Sequence, residues 1–446
     1  MIKYTRIFII ILLVVSAFGA KAQSQSTATT SSPYSRYGLG DIDPSIMPQN
    51  RAMGGIATAI NKINNFNTIN VLNPASYGFI NYTTIDVGLY TNIVNLSQTG
   101  QTSVSNANFR LSHINFAVPV STRSALSFGL MPYSEMGYNY KQTKANLGSG
   151  SPTDTNAVNY LYNGDGGLSK AYFGYGIGIN KHLYIGANVS YIFGNLIQTS
   201  STEIPNLYGT LNSRIEQSNS IGGLNYDIGL QYSIDFGNDA TRHLTLGYSA
   251  STGSNINNTA SYIVSQYTYD GSGNQNTPAD SVVNRQSAQT KIKLPQINHF
   301  GVSYQYDDHY LVGADFTMGN WSNYTGINKG ADVKFQNSKT FNVGGQYTPN
   351  GNASNYFARV DYRLGFIYDQ TYLNLNNTNI NRYAATFGFG LPLAPSETRT
   401  TFYKINLSAE VGKRGTVDNG LVKENYVNIH LGFTLNDKWF QKYKFQ

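Results

Sequence analysis

Apolar and polar residues alternate along most of this chain, and the clearest case is IGGLNYDIGLQYSIDF at residues 221–236. One face of this stretch carries large apolar side chains: Leu224, Tyr226, Ile228, Leu230, Tyr232 and Ile234. The other face carries glycines and polar side chains, among them Asp227 and Asp235. Alternation of this kind predicts a β-strand with two unlike faces. Because typical strands have about 5–6 residues, the length of this one indicates a barrel wall with lipid outside and water inside.

The same pattern recurs from residue 83 almost to the end of the chain. Turns placed at clusters of Asn, Asp, Gly and Pro give about 14 strands. They lie at 83–97, 107–120, 124–141, 168–180, 183–199, 217–236, 242–263, 292–306, 309–322, 333–347, 355–369, 380–393, 400–414 and 422–436. The predicted fold class is therefore all-β: a 14-stranded antiparallel transmembrane β-barrel, with the even strand number of single-chain bacterial barrels.

The connections between these strands also favour a barrel. Only two or three residues intervene at 121–123, 181–182 and 307–308, which predicts short periplasmic turns. Long polar segments at 144–167 and 200–217, and a third at 265–287, predict extracellular loops. A soluble β-sandwich is the alternative, but its strands are usually shorter.

The N-terminus predicts export. Lys3 and Arg6 precede an apolar run at 7–18, which at about a dozen residues is too short to span a bilayer and suits a signal peptide. We predict cleavage after Ala22 and location in the bacterial outer membrane; an uncleaved anchor is the alternative. The predicted domains are a signal peptide at 1–22, an N-terminal tail and plug (hatch) at 23–82, the barrel at 83–436 and a C-terminal periplasmic tail at 437–446.

Composition agrees with a membrane protein. Charged residues make up 12% of the chain, against about a quarter in soluble domains, and there are 35 tyrosines, which suit a membrane–water boundary. The chain has no cysteine, so disulfides and thiolate chemistry are excluded. Loss of Lys3, Arg6 and Lys21 with the leader lowers the formal charge of +7 by three. No basic cluster remains, so nucleic acid is not an expected partner.

Residues 23–82 lack a sustained alternation and predict a plug inside the barrel. A lumen about 14 strands wide would otherwise stand open. The turn formed by Arg51, Gly54 and Gly55 permits a tight bend, and residues 57–63 predict a short helix. Asn73-Pro74-Ala75 predicts a rigid corner, since proline fixes its own φ and holds the preceding residue extended. The alternating glycines of FGYGIGIN, at 173–180, predict small inward positions where the plug approaches.

The order RAMGG, a short polar and apolar run, NPAS and a strand beginning near Thr83 resembles the FadL-like fatty acid transporters, a family that includes TodX-type aromatic hydrocarbon channels. The resemblance implies a hatch that fills the lumen and a kink in the third strand that opens the wall sideways. Asn73, Pro74 and Ala75 would be the hatch corner facing that kink. The tail SSPYSRYGLGDIDP, at 31–44, resembles members from the Bacteroidetes lineage, and some FadL-like barrels there act in protein secretion.

The third predicted strand contains residues that suit such a kink. Pro132 cannot donate a ladder hydrogen bond, and a closed barrel has no edge on which to place it. With Gly129, it predicts a lateral gap in the wall. The alternatives are a β-bulge and a strand that ends at Met131.

Charged residues at inward positions of the predicted strands form a further set of candidates. These lumen charges are Asp227, Asp235, Asp315, Arg359, Asp361, Arg363, Lys404 and Glu410. One hypothesis is that they clamp the plug to the wall. The other is that they pair with one another and keep the lumen wet.

These observations lead to a functional hypothesis. The protein is expected to be an outer-membrane channel for passive uptake of small, fatty-acid-like hydrophobic compounds, with lateral opening. The alternative is a non-transporting barrel that serves as a subunit or docking platform of an outer-membrane assembly or secretion complex. Expected partners are outer-membrane lipid, a hydrophobic small molecule and proteins of such a complex. The six histidines are scattered, so we expect no enzyme activity, no cofactor and no metal site.

Overall fold

A computed structural model describes residues 30–63, 66–148, 156–207, 209–236, 241–270, 275–276, 281–328, 333–396 and 400–439. These residues form an all-β, antiparallel closed barrel of 14 strands, which confirms the predicted fold class at that level. The last strand pairs with the first along their whole length, from Lys423 opposite Ser97 to Asp437 opposite Thr83. The predicted leader at 1–22 and the chain from 440 onward lie outside the described residues.

Three of the barrel strands are interrupted and consist of two or three pieces. The strands are β1 (Thr83–Ser97), β2 (Val104–Ser121), β3 (Ser124–Lys144), β4 (Val158–Gly178), β5 (Leu183–Glu203), β6 (Asn212–Phe236), β7 (Arg242–Ser251 and Asn255–Tyr267), β8 (Ser281–Gln286, Thr290–Lys293 and Ile297–Tyr306), β9 (Tyr310–Gly319), β10 (Val333–Phe335 and Ser338–Tyr347), β11 (Asp361–Leu375), β12 (Thr378–Pro392), β13 (Thr401–Arg414) and β14 (Lys423–Asp437).

The two faces of β6 match the sequence pattern. Leu224, Ile228 and Tyr232 are 47%, 50% and 42% exposed on the outer face, whereas Asp227 and Gln231 are 5% and 0% exposed on the inner face. Apolar side chains thus face outward and polar side chains face inward, which is the reverse of a soluble core and the arrangement of a membrane barrel.

Several strands extend further than predicted at the end where long loops were expected. β4 begins at Val158 rather than 168, β6 begins at Asn212, and β8 begins at Ser281. The ladder between β3 and β4 accordingly reaches Lys144 opposite Val158. The polar composition of these stretches suggested loops because, beyond a lipid layer, neither face of a strand has to be apolar even though the backbone ladder continues.

The predicted division into short periplasmic turns and long extracellular loops does not hold for two connections. Residues 376–377, at the predicted extracellular end, form a two-residue turn between β11 and β12, whereas 348–360, at the other end, form a long connection. β11 starts at Asp361, so Arg359 does not lie on a strand as expected. It lies instead in the 3₁₀ helix Tyr356–Arg359, with its guanidinium over the Tyr356 ring.

The described part of the chain before β1 contains only short elements. In residues 30–82, hereafter the N-terminal segment, these are the 3₁₀ helix Pro33–Arg36, the two-residue strand Asp41–Ile42, the α-helix Pro48–Arg51 and the 3₁₀ helix Pro74–Phe79. The helix expected at 57–63 does not form. None of the helices in the described part of the chain has the length and apolar character required to cross a membrane.

Candidate functional site

The Gly54–Gly55 turn lies against the inner face of the wall, where no side chain would fit. Both glycines have a positive φ, of 71° and 81°, a region that favours glycine. A Cβ on Gly54 would lie 2.5 Å from the carbonyl oxygen of Val343. The turn is fixed by polar contacts as well, because the Gly54 N–H donates to Thr386 Oγ1 at 2.7 Å and the amide of Asn342 donates to the Gly54 carbonyl. Sequence and geometry therefore agree on the need for glycine here.

The wall binds the backbone of the residues after this turn through hydrogen bonds from three strands. Asp315 of β9 accepts hydrogen bonds from the backbone N–H groups of Ala57 and Thr58, at 2.7 and 2.8 Å. Gln231 of β6 donates to the Thr58 carbonyl at 3.0 Å, and Ser303 of β8 donates to the Ala59 carbonyl at 2.8 Å. Because the wall satisfies these backbone groups, the segment needs no helix at this point.

The Asn73-Pro74-Ala75 corner packs on a glycine-lined part of the wall. Asn73 caps the following 3₁₀ helix by accepting from the Ala75 N–H at 3.1 Å, and its amide donates to the Thr58 carbonyl at 2.6 Å. Glycines on three strands leave room for the corner, since a Cβ on any of them would collide with Asn73, Pro74 or Ala75. They are Gly176 of β4, Gly186 of β5 and Gly229 of β6. The contacts of the corner thus lie on β4 to β7, whereas a Cβ on Gly129 would meet Asn115 and Ile114 of β2.

The ladder between β2 and β3 is interrupted where Gly129 and Pro132 lie. Its pairs run from Ser121 opposite Ser124 only as far as Ile114 opposite Leu130. Beyond Leu130, β3 continues to Lys144 and remains paired with β4, with a bulge between Pro132 and Ser134. Within the described residues, no ladder pair joins the rest of β2 to the rest of β3. We call this separation between Val104–His113 of β2 and Met131–Lys144 of β3 the seam.

The N-terminal segment fills the lower part of the seam. Its strand Asp41–Ile42 pairs antiparallel with Glu135 and Ser134 of β3, and the Asp43 N–H donates to the Tyr133 carbonyl at 3.0 Å. Above this point, the Ser35 hydroxyl accepts from the Gly137 N–H at 3.0 Å. A short added strand therefore occupies the place that β2 would otherwise take beside β3.

A cluster of four charged side chains joins the segment to both sides of the seam. Arg110 of β2 pairs with Asp43 at 2.8 Å and with Glu135 of β3 at 2.5 Å, and Arg51 pairs with the other oxygen of Asp43. Burial opposes ionisation of the Asp43 carboxyl, but the two guanidinium groups outweigh it and hold the pKa of Asp43 below its usual value. We call Asp43, Arg51, Arg110 and Glu135 the seam cluster.

Of the seam cluster, sequence reasoning named only Arg51. Arg110 lies between two outward-facing residues, Phe109 and Leu111, which are 66% and 44% exposed. Alternation with these neighbours is therefore the signal that could have placed Arg110 inside the barrel, although the sequence analysis did not use it. Nothing in the local sequence indicated that Asp43, far away along the chain, would meet it.

Most of the predicted lumen charges pair within the wall. Asp361 Oδ2 accepts from Lys404 at 2.8 Å and from Arg363 at 3.0 Å, and Arg363 also donates to Gln346 and Asn406 at 2.7 Å each. These partners belong to β10, β11 and β13. The group supports the hypothesis that inward charges satisfy one another, although the Lys404 ammonium also lies 4.6 Å from the Phe66 ring centre.

Three of the remaining lumen charges also pair with residues of the wall, and one binds the N-terminal segment. Glu410 accepts from the Tyr426 hydroxyl at 2.7 Å, Asp235 is 2.7 Å from His243 Nδ1, and Asp227 lies 3.7 Å from the Lys170 ammonium. Asp315 alone among the eight hydrogen bonds to the backbone of the N-terminal segment in the described residues. The clamp hypothesis therefore fits one residue of the set. No described group of three or more His, Cys, Asp or Glu side chains is arranged to hold a metal ion.

A cavity of about 230 Å³ lies between the segment and the wall, beside the seam. Its apolar lining includes Ile42, Tyr133 and Trp321. Charged side chains line it too: Asp41, Asp43, Arg51, Lys170, Arg382 and Arg414. Further apolar side chains around Leu39, including Ile192, Leu196 and Ile221, are packed together and buried. The lumen is thus divided into a packed apolar region and a small cavity of mixed polarity.

Several solved structures share this fold. The Ralstonia pickettii toluene transporter TbuX superposes with a TM-score of 0.57 at 15% identity, over 88% of this chain and 98% of that one. The Pseudomonas putida toluene transporter TodX gives 0.55 at 13%, over 89% and 99%. A Pseudomonas aeruginosa FadL homologue gives 0.55 at 14%, over 90% and 100%. At this identity the likeness shows the fold alone.

The protein is therefore a β-barrel with the FadL-like channel fold, as the sequence resemblance predicted. A family model described as BamG matches residues 1–446, and the chain belongs to the BamG family. A search of curated proteins finds no match in sequence.

Proposed function

We propose that this protein is an outer-membrane barrel closed by a plug, and that it acts as a subunit or docking platform of an outer-membrane assembly. In this proposal residues 1–22 are a cleaved leader, the mature N-terminal part is the plug, and relatives occur in the Bacteroidetes lineage. The observation that carries the proposal is the way in which the N-terminal segment is attached to the wall.

The segment contacts every strand from β2 to β14. Hydrogen bonds, ion pairs or ladder pairs reach the other strands of this set, and at β4 the Arg36 guanidinium lies 5.3 Å from the Tyr162 ring centre while the backbone approaches closely at Gly176. A net hydrogen bond contributes about 0.5–1.5 kcal/mol. Moving the plug enough to pass a ligand would break several of these contacts at once. A plug held by so many contacts is better suited to a closed barrel that binds partner proteins than to a channel that opens repeatedly.

The second candidate is the channel for small hydrophobic compounds, including fatty-acid-like ones. The interrupted ladder between β2 and β3 favours it, because Tyr133 lines both the seam and the cavity. The names of the similar solved structures, which include two toluene transporters, point the same way. In this candidate, Asn73 to Ala75 would move, and the seam at Gly129 to Pro132 would be the lateral exit. The filled seam and the charged cavity lining weigh against it.

Native mass spectrometry of the protein extracted from its own membrane in mild detergent tests the two candidates. We expect a complex of constant composition with one or more proteins. A monomer that carries an apolar compound, and loses it when Pro132 or Asn73 is altered, would contradict the proposal and support the channel. Refolded protein, which meets no partner, is the control for compounds picked up from the detergent.

A further inference from the structure

The upper part of the seam is a cleft between two strand edges. One wall of this cleft is β2 from Val104 to Phe109, and the other is β3 from Asn139 to Lys144. β2 pairs with β1 up to Leu96 opposite Val104, and β3 pairs with β4 up to Lys144 opposite Val158. Each of these two stretches is thus paired on its far side, and among the described residues no ladder pair joins them across the cleft. We call this region the upper cleft.

Unpaired strand edges carry unsatisfied hydrogen-bonding groups. In an antiparallel ladder, alternate residues turn their N–H and C=O groups toward opposite sides of the strand. About half of these backbone groups in each edge therefore point into the upper cleft. Such edges bind further strands, and proteins usually protect them by pairing or covering.

The N-terminal segment shows that this edge accepts an added strand. Asp41–Ile42 already pairs with Ser134 and Glu135 of β3, directly below the upper cleft. Ser31 meets Asn108 of β2 at 3.2 Å, so the segment also closes the lower boundary on the β2 side. A strand entering the upper cleft would continue an interface that the protein itself begins.

The side chains around the upper cleft indicate what kind of strand would fit. Phe109 and Val104 present apolar surface at the β2 edge, with exposures of 66% and 53%. Lys141 and Lys144 are exposed on the β3 edge, and residues 98–109 and 136–147 contain no acidic residue. The cleft thus combines open backbone groups, apolar surface and positive charge.

We propose that the upper cleft binds an extended segment of a partner protein, which adds as a β-strand between β2 and β3. Phe109 and Val104 are five residues apart and Lys141 and Lys144 three apart, so each pair has one member on each face of the sheet. The added strand therefore carries an apolar and an acidic side chain on each of its two faces. This mode of binding gives affinity through main-chain hydrogen bonds and selectivity through alternate side chains. The inference rests on the proposed role as a docking platform and identifies the docking site.

Photo-crosslinking in the native host tests the site. A photoreactive amino acid is placed at Phe109, and in a second variant at Val343 of β10, which is 54% exposed elsewhere on the barrel. We expect a discrete crosslink to another protein from position 109 and none to that protein from position 343. Crosslinks from 109 only to lipid, to the same chain or to a second copy of it would overturn the inference.

Charge reversal supplies an independent test. The double variant Lys141→Glu, Lys144→Glu should lower the amount of copurified partner by roughly two- to thirtyfold, the effect of removing two exposed ion pairs. Lys291→Glu, an exposed lysine of β8, is the control and should leave the amount unchanged. Equal recovery from all variants would contradict the inference while leaving the docking function intact. Absence of any partner from the unaltered protein would instead contradict the docking function.

Discussion

At the scale of single residues, glycine decides how closely the N-terminal segment approaches the wall. A Cβ on Gly344 would meet the Met53 carbonyl carbon at 2.6 Å, and one on Gly365 would meet the Gly54 Cα at 2.6 Å. A Cβ on Gly301 would lie 2.8 Å from the Thr58 side chain. Inward glycines thus let backbone lie against backbone, and they explain why polar wall groups reach the main chain of the segment.

We predict that Gly54→Ala destabilises the protein more than Gly100→Ala does. The two glycines have nearly the same φ, 71° and 77°, but a Cβ on Gly100 meets nothing within 4 Å. Both substitutions carry a conformational cost of about 1–2 kcal/mol. Only Gly54→Ala also forces the wall or the segment to move. The measurement is the denaturant midpoint of refolded protein in detergent, and equal midpoints would show that the turn does not lie against the wall.

At the scale of elements, the contact between Asp315 and the N-terminal segment can test whether an inward charge holds the segment to the wall or only keeps the lumen polar. Replacing Asp315 with Ala leaves two buried backbone donors without an acceptor, which costs about 1–3 kcal/mol for each donor. We predict that the segment loosens around residues 57–59. Because the chain has no cysteine, an Ala59→Cys variant provides a single reporter that is 1% exposed at the start.

Thiol labelling of Cys at position 59 measures this loosening. Labelling should be faster in the Asp315→Ala background than in the parent Ala59→Cys protein. Asp235→Asn is the matched control, since Asp235 contacts His243 of the wall and should leave the rate unchanged. The same rate in both backgrounds would show that Asp315 does not hold the segment.

The positions of the strands could be predicted from the sequence, whereas the seam could not. Alternation gave β13 and β14 to within one residue at each end, because lipid on one side forces every second side chain to be apolar. For β11 the predicted start at 355 was wrong, because the strand begins at Asp361. Arg359 continues the alternation of side chains, but it lies in a 3₁₀ helix. The seam cluster was inaccessible for a different reason. Asp43 and Arg110 meet only because the chain runs through the lumen, and periodicity holds no information about that path.

At the scale of the whole molecule, the seam cluster and the added strand occupy the place where the ladder between β2 and β3 ends early. Removing both carboxylates of the cluster, with Asp43→Asn and Glu135→Gln, leaves Arg51 and Arg110 buried without an opposite charge. Breaking a buried pair in this way is strongly destabilising, by about 3–5 kcal/mol. The cost falls on the contact between the segment and β3, because both carboxylates lie there.

We therefore predict that this double variant opens the barrel to ions. In planar lipid bilayers the parent protein should show little conductance, whereas the variant should show discrete openings. Asp418→Asn, in the β13–β14 connection, is the control and should behave like the parent. If the variant stays as closed as the parent while folding normally, the seam is held by other contacts and the cluster has no sealing role.

The pH dependence of the parent protein follows from the same cluster. Because the folded pKa of Asp43 lies below its ordinary value, the stabilisation from its ionised form is fully present above the ordinary carboxyl range. It is lost only as the pH falls through the lower, folded pKa. Conductance of the parent should consequently stay low and flat from about pH 8 to about pH 5, and rise only in stronger acid. A rise within that neutral range would mean that a group with a higher pKa, such as a histidine, controls the seam.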